Sequence, residues 1–281
     1  MIHAMLRSVS IAKVSQGRLR RQGLTLMELV VVLGILAALA AILVPMFPNL
    51  LRRAHKATDA TQTTEVSKAV QMYQGAFVSY PDNFDMLTDG TTFPTYLPND
   101  DGNTFGNYVT AVSLTSDELA ALRRVGVDYV QPLAADNTPA GFHPTSSPYS
   151  AALTANRLAL NATTPTTKFA VLNRLAITNN LLQAELAADL TARYVVFGVG
   201  PRCSMVGQTM QDAPTSVPQK KSFTPDTTYS RVGVIFKVSG VEVARTERAR
   251  FVGAVALEDD ELESAEKDII GYYEVSRDQR N

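Results

Sequence analysis

From Leu29 to Leu51 the chain is uncharged and almost wholly apolar, LVVVLGILAALAAILVPMFPNLL, with Glu28 before it and Arg52 after it. As a helix at about 1.5 Å per residue this run reaches about 35 Å, enough for a hydrocarbon core of roughly 30 Å. The pattern then becomes amphipathic. Residues 49–80 read as one continuing helix in which Val66, Ala69, Val70, Tyr73 and Phe77 recur at three- and four-residue intervals. That stripe is expected to lie on a domain, with Arg53, Lys56, Asp59 and Lys68 on the opposite face and Tyr80-Pro81 as the stop.

Residues 82–112 are rich in Asp, Asn, Thr, Pro and Gly and keep no period, which predicts a long loop or irregular hairpins. Thr115 and Glu118 fit a capping box opening a short helix that Gly126 closes, and Val127–Val130 has strand character. Loop-like sequence follows from Pro132 to Pro165. Strands are predicted at Lys168–Leu172, Tyr194–Gly198, Arg231–Val238 and Arg250–Leu257, with Gly240 in a turn between the last two. Thr178 is a candidate cap for a helix reaching Leu190, and Asp259–Tyr273 reads as a closing helix with an acidic first turn. A long helix followed by strands predicts an α+β fold, the helix packed on a mainly antiparallel sheet.

Composition narrows the chemistry. One cysteine, Cys203, excludes an intramolecular disulfide framework, and three histidines exclude a histidine-rich metal centre. The formal net charge of −1 argues against a general nucleic-acid surface. Gly198-Val199-Gly200-Pro201 resembles the start of a dinucleotide loop, but the third glycine is missing and Pro201 breaks the turn, so a tight turn after a strand is expected. Asp82, Asp85, Asp89, Asp100 and Asp101 are weak candidates for a calcium site, at spacings that do not fit an EF-hand. No other cofactor is expected. Asp259-Asp260 offers paired carboxylates to an anchored enzyme, although a helix start is the simpler reading.

Charge is concentrated at the beginning. Residues 1–23 hold Arg7, Lys13, Arg18, Arg20 and Arg21 without an acid, leaving 21 basic against 27 acidic residues in the remainder. This bias places the N-terminus on the cytoplasmic side and the later residues outside. A secretory signal peptide, a plain anchor and a processed assembly helix compete for this run, which is longer than the usual h-region and leads into helix-compatible sequence rather than a cleavage loop. Glu28 separates them. Thr25-Leu26-Met27-Glu28 is a capping box on its simplest reading, yet acids near mid-membrane cost roughly 2.5–3.5 kcal/mol and call for a cationic partner. The run contains none, so the partner would come from another copy or from an amine newly cut before Leu24.

Gly23-Leu24-Thr25-Leu26-Met27-Glu28 followed by the apolar run resembles the processing and assembly motif of type IV prepilins and type II secretion pseudopilins. The resemblance implies cleavage after Gly23 by a membrane-embedded prepilin peptidase and N-methylation of Leu24. It also implies an assembly role for Glu28 and a helix kink at Pro45. Ala69-Val70-Gln71-Met72-Tyr73 and Tyr80-Pro81 are similar to the major pseudopilin, so the resemblance covers residues 18–90 at most. Four parts follow from it: a leader at 1–23, a membrane and polymerisation segment at 24–51, a periplasmic helix continuation at 52–81, and a globular α+β domain at 82–281. The implied function is a structural pseudopilus subunit, not an enzyme, anchored once in the inner membrane of a bacterium. Its implied partners are other pseudopilins, the peptidase and the secretion platform, with no nucleic acid. A minor pilin-like binding subunit of a pilus or DNA-uptake machine is the alternative.

Overall fold

A computed structural model describes residues 25–94, 97, 99–100, 103–104, 108–133, 157–161, 166–173, 185–214, 229, 231–257 and 262–264. Two units are distinguished, one to Phe47 and one from Pro48 onward. Helix α1, Leu26–Phe77, belongs to both and stays helical through Pro45 and Pro48.

The second unit is α+β. After α1 come β1 (Phe84–Asp85), the small hairpin β2 (Asn99–Asp100) and β3 (Asn103–Thr104), β4 (Val109–Ser113), α2 (Ser116–Arg123), β5 (Tyr129–Gln131) and β6 (Leu158–Ala159). Then follow β7 (Lys168–Leu172), β8 (Tyr194–Gly198), β9 (Val232–Lys237), α3 (Val241–Thr246), β10 (Arg250–Leu257) and β11 (Leu262–Ser264). One mixed sheet runs β11-β10-β9-β8-β1-β5-β6, with β7 joining β8 to β4. Pairing is antiparallel except between β1 and β5. Strand β8 holds the centre. It pairs along its length with β9 on one edge, and on the other meets β7 at Val195 and β1 at Gly198.

Both faces of this sheet are buried, which is why β8 and β9 read as unbroken apolar runs. Val195, Phe197, Val234 and Phe236 point to one core, shared with Val66 and Val70 of α1 and Leu122 of α2. Tyr194, Val196 and Ile235 point to the other, with Leu87, Leu172, Leu186 and Leu257. The first core centres on rings: Phe84 stacks on Phe197 at 5.9 Å, and Phe236 meets Tyr80 at 5.3 Å and Phe251 at 5.7 Å. Offset and edge contacts of this kind add to the area term.

The α1 stripe holds at Val66, Ala69 and Val70, and Tyr73 packs on the core from a half-buried position. Phe77 departs from it, 51% exposed with its ring tilted against Tyr73 at 4.5 Å, at the last turn of the helix. Asp59, expected on the solvent face, is buried. Four further differences concern elements. Val109–Ser113 is a strand inside the expected loop, held by five residue pairs with β7. Gly240 caps a helix rather than turning a hairpin: with no side chain of its own to offer, it leaves the Val241 N–H to the Asp189 carboxylate at 2.7 Å. Leu262–Ser264 is a strand, not the start of a helix, because it pairs back on Val255–Leu257. Leu190 lies in a turn beyond a helical turn at 185–188, and Thr178 lies outside the described residues.

Candidate functional site

Helix α1 begins with a reciprocal cap. The Thr25 N–H donates to the Glu28 carboxylate at 2.8 Å, its hydroxyl donates to the same oxygen at 3.0 Å, and the Glu28 N–H donates to the Thr25 hydroxyl oxygen at 3.3 Å. Two otherwise orphan backbone donors are satisfied in this way. The acid is therefore held at the first turn of the helix, immediately before the apolar run. From Leu26 to Val44 the helix is long and apolar enough to cross a membrane, and none of that stretch is buried. Pro45 is inside the continuous helix. Gly23 and Leu24 lie outside the described residues, as does the rest of the leader.

Among the described residues the acidic candidates do not form a metal-binding group. Asp82 accepts backbone N–H groups of Tyr129 at 2.7 Å and Asp128 at 2.9 Å, tying the end of α1 to β5. Burial nevertheless pushes its carboxyl above the ordinary value. Asp85 is buried and accepts the Tyr229 hydroxyl at 2.7 Å. Asp89 closes a turn by accepting from Thr91 and Thr92, donors that outweigh its partial burial and hold it below the usual carboxylate range. Asp100 lies in β2, and Asp101 lies outside the described residues. Among the described residues no group of three or more His, Cys, Asp or Glu side chains could hold a metal ion.

Gly198 and Gly200 have a structural cause instead of a phosphate. A Cβ on Gly200 would collide with the Asp85 carboxylate, and one on Gly198 with the Tyr229 hydroxyl. Both glycines make room for that buried hydrogen bond. Cys203 follows in the expected tight turn, its N–H donating to the Gly200 carbonyl at 3.1 Å. The thiol is buried, and burial pushes it far up, so it is inert as a nucleophile.

Two charged clusters stand elsewhere. Arg193 Nη1 donates to both oxygens of Glu118 and Nη2 to the Ser113 carbonyl, at the base of a cleft of about 570 Å³ between α2 and α3. Lys237 is buried among Glu185 at 3.5 Å, Asp189 at 3.6 Å and Glu242 at 3.8 Å, while Arg250 binds Glu185 and Glu242. The sequence signal for this cluster is a lysine inside an apolar strand, Val232-Gly-Val-Ile-Phe-Lys237-Val238. Its partners are spread over residues 185–250 and leave no pattern.

Set beside protein-family models, curated proteins and solved structures, the chain matches none of them. The functional reading therefore rests on the residues described above.

Proposed function

We propose that this protein is a pseudopilin-like structural subunit of a type II secretion pseudopilus. It is cut after Gly23, methylated on Leu24, and polymerised through its N-terminal helix. The supporting observation is the unburied apolar helix from Leu26 to Val44 with an acid fixed at its first turn. Since none of that stretch is buried, lipid and other copies are its natural surroundings. Gly34 and the alanines at 37, 38, 40 and 41 permit close approach between copies.

The charge logic follows from the cap. In the lone chain the Glu28 carboxylate is bound by Thr25. Cleavage before Leu24 creates an ammonium group, and in a bundle the amine of one copy neutralises Glu28 of the next, setting the register. Before assembly the subunit is held once in the bacterial inner membrane, N-terminus cytoplasmic and the α+β domain periplasmic. It is then drawn into the pseudopilus by the secretion platform.

Intact mass of the membrane-extracted protein tests this reading. Loss of residues 1–23 with gain of one methyl group is the expected result. A mass corresponding to cleavage beyond Ala40, with the protein free in the medium, would overturn it.

A further inference from the structure

We propose that residues 240–248, the excursion carrying α3, form a flap that swings out as its own unit and opens the cleft between α2 and α3. The movement needs neither a polymer nor any loss of the sheet.

The chain leaves the sheet at Lys237 and returns at Arg250, and these two residues are register partners in the β9–β10 pair. The excursion is therefore closed at its base, and its departure breaks no pairing between the two strands. Val238 and Ala249 stay with the domain. The Val238 N–H donates to the Arg193 carbonyl at 2.9 Å, and the Ala249 N–H to the Ala121 carbonyl at 3.0 Å. Inside them lie two residues with left-handed backbone, Gly240 at φ 111 and Glu247 at φ 54. Element-terminal positions such as these absorb the torsional change of a hinge.

The excursion holds itself together. The Ala244 N–H donates to the Gly240 carbonyl at 2.8 Å, the Glu247 N–H to the Val243 carbonyl at 2.6 Å, and the Thr246 hydroxyl to the Glu242 carbonyl at 3.1 Å. Its grip on the rest is thin. From Val241 to Arg248 the one buried residue is Val243, which enters the core shared with Val66, Val70 and Leu122. The polar ties are the Asp189 cap on the Val241 N–H, Arg124 on Glu247 at 3.2 Å, and Glu242 with Arg250 at 3.0 Å and Lys237 at 3.8 Å. Arg124, Glu242 and Glu247 are each exposed over roughly half their side chain or more, and pairs so wetted hold weakly. One buried apolar anchor and solvated ties mark a segment that opens below the global unfolding free energy.

Placement gives the opening a consequence. Val243, Ala244 and Glu247 line one wall of the cleft of about 570 Å³, while Glu118, Ala121 and Arg193 line the side that stays. With the flap out, the cleft loses that wall and the site filled by Val243 becomes reachable from solvent.

Hydrogen exchange of the full chain in detergent micelles, read by mass spectrometry at low urea, tests the flap. Segment 241–247 should exchange at least about a hundredfold faster than 232–237 of β9, yet slower than an unstructured peptide. Its rate should be indifferent to urea, while that of 232–237 climbs with it. Arg124→Ala and Glu242→Gln should each speed exchange at 241–247 severalfold and leave 232–237 as it was. Equal rates in both segments with one urea dependence would overturn the proposal, by making α3 part of the global unit. So would variants that speed both segments alike. Exchange of 241–247 at the unstructured-peptide rate would overturn it from the other side, since no closed flap would exist to open.

Discussion

Arg193 grips Glu118 across seventy-five residues of sequence, Nη1 reaching one carboxylate oxygen at 3.0 Å and the other at 2.7 Å. The same carboxylate accepts the Thr115 N–H at 2.9 Å, so one side chain both caps α2 and pins it to the start of β8. The Glu118 side chain is only 5% exposed. Removing it strands a partly covered guanidinium and breaks one half of the reciprocal cap, leaving the bond from the residue-118 N–H to the Thr115 hydroxyl. Glu118→Ala should cost about 3 kcal/mol, read as a lowered urea midpoint with unchanged slope. Glu118→Gln should cost less, because it keeps a hydrogen-bond acceptor.

Acid should loosen the corner around Lys237. The Thr191 hydroxyl, the Val241 N–H and Lys237 lower the Asp189 carboxyl to about 2. Partial burial pushes Glu185 up, but Arg250 and then Lys237 hold it below the usual range. A carboxyl depressed by folding stabilises above its unfolded value and loses that contribution as pH falls through the folded one. Unfolding free energy should therefore drop between about pH 5 and pH 2, and Asp189→Asn should flatten that limb while lowering stability at neutral pH. Asp82 works in the opposite sense: its raised carboxyl favours the fold most when protonated, and its contribution declines as pH rises.

The glycines around the buried Asp85 should tolerate no side chain. Gly200→Ala drives a methyl group into the carboxylate, and relief requires moving β1. A loss of about 1–3 kcal/mol is expected, as for other overpacked interiors. Tyr229→Phe, which removes the 2.7 Å bond to Asp85, should cost about 1–3 kcal/mol without overpacking. Thermal melts of the two variants check both.

Val78 is a β-branched residue at φ 57, almost wholly in solvent. That backbone region costs a side chain about 1–2 kcal/mol, and little burial offsets it here. Val78→Gly should raise the melting temperature.

Glu28→Ala should leave membrane insertion intact, since it removes a charge from the mouth of an apolar helix. Assembly should fall, measured as sedimentable polymer after detergent extraction. Normal polymer in that variant would remove Glu28 from the register.

Legibility in the sequence followed burial. Strands β7, β8 and β10 match the expected residues because their runs are apolar enough to be recognised without knowing their neighbours. The Thr115–Glu118 cap was equally legible, since both partners lie within one turn. What stayed hidden depended on distant chain. Asp189 caps α3 from fifty-two residues away, and β11 exists because β10 offers it an edge, against a local sequence that reads as helix. The assembly candidate divides in the same way. Glu28 and the apolar run were plain, and the Thr25 cap was foreseen. The ion cluster around Lys237 showed only its lysine.

The placement of β1 has a temporal consequence. It is the first strand among the described residues, yet it lies between β5 and β8, and the latter is made only after two thirds of the polypeptide. A ribosome working from the N-terminus delivers β1, β4 and β5 long before the strand that unites them. Until Tyr194–Gly198 emerges, these early segments have no common scaffold, and the domain must wait, unclosed, for its own middle.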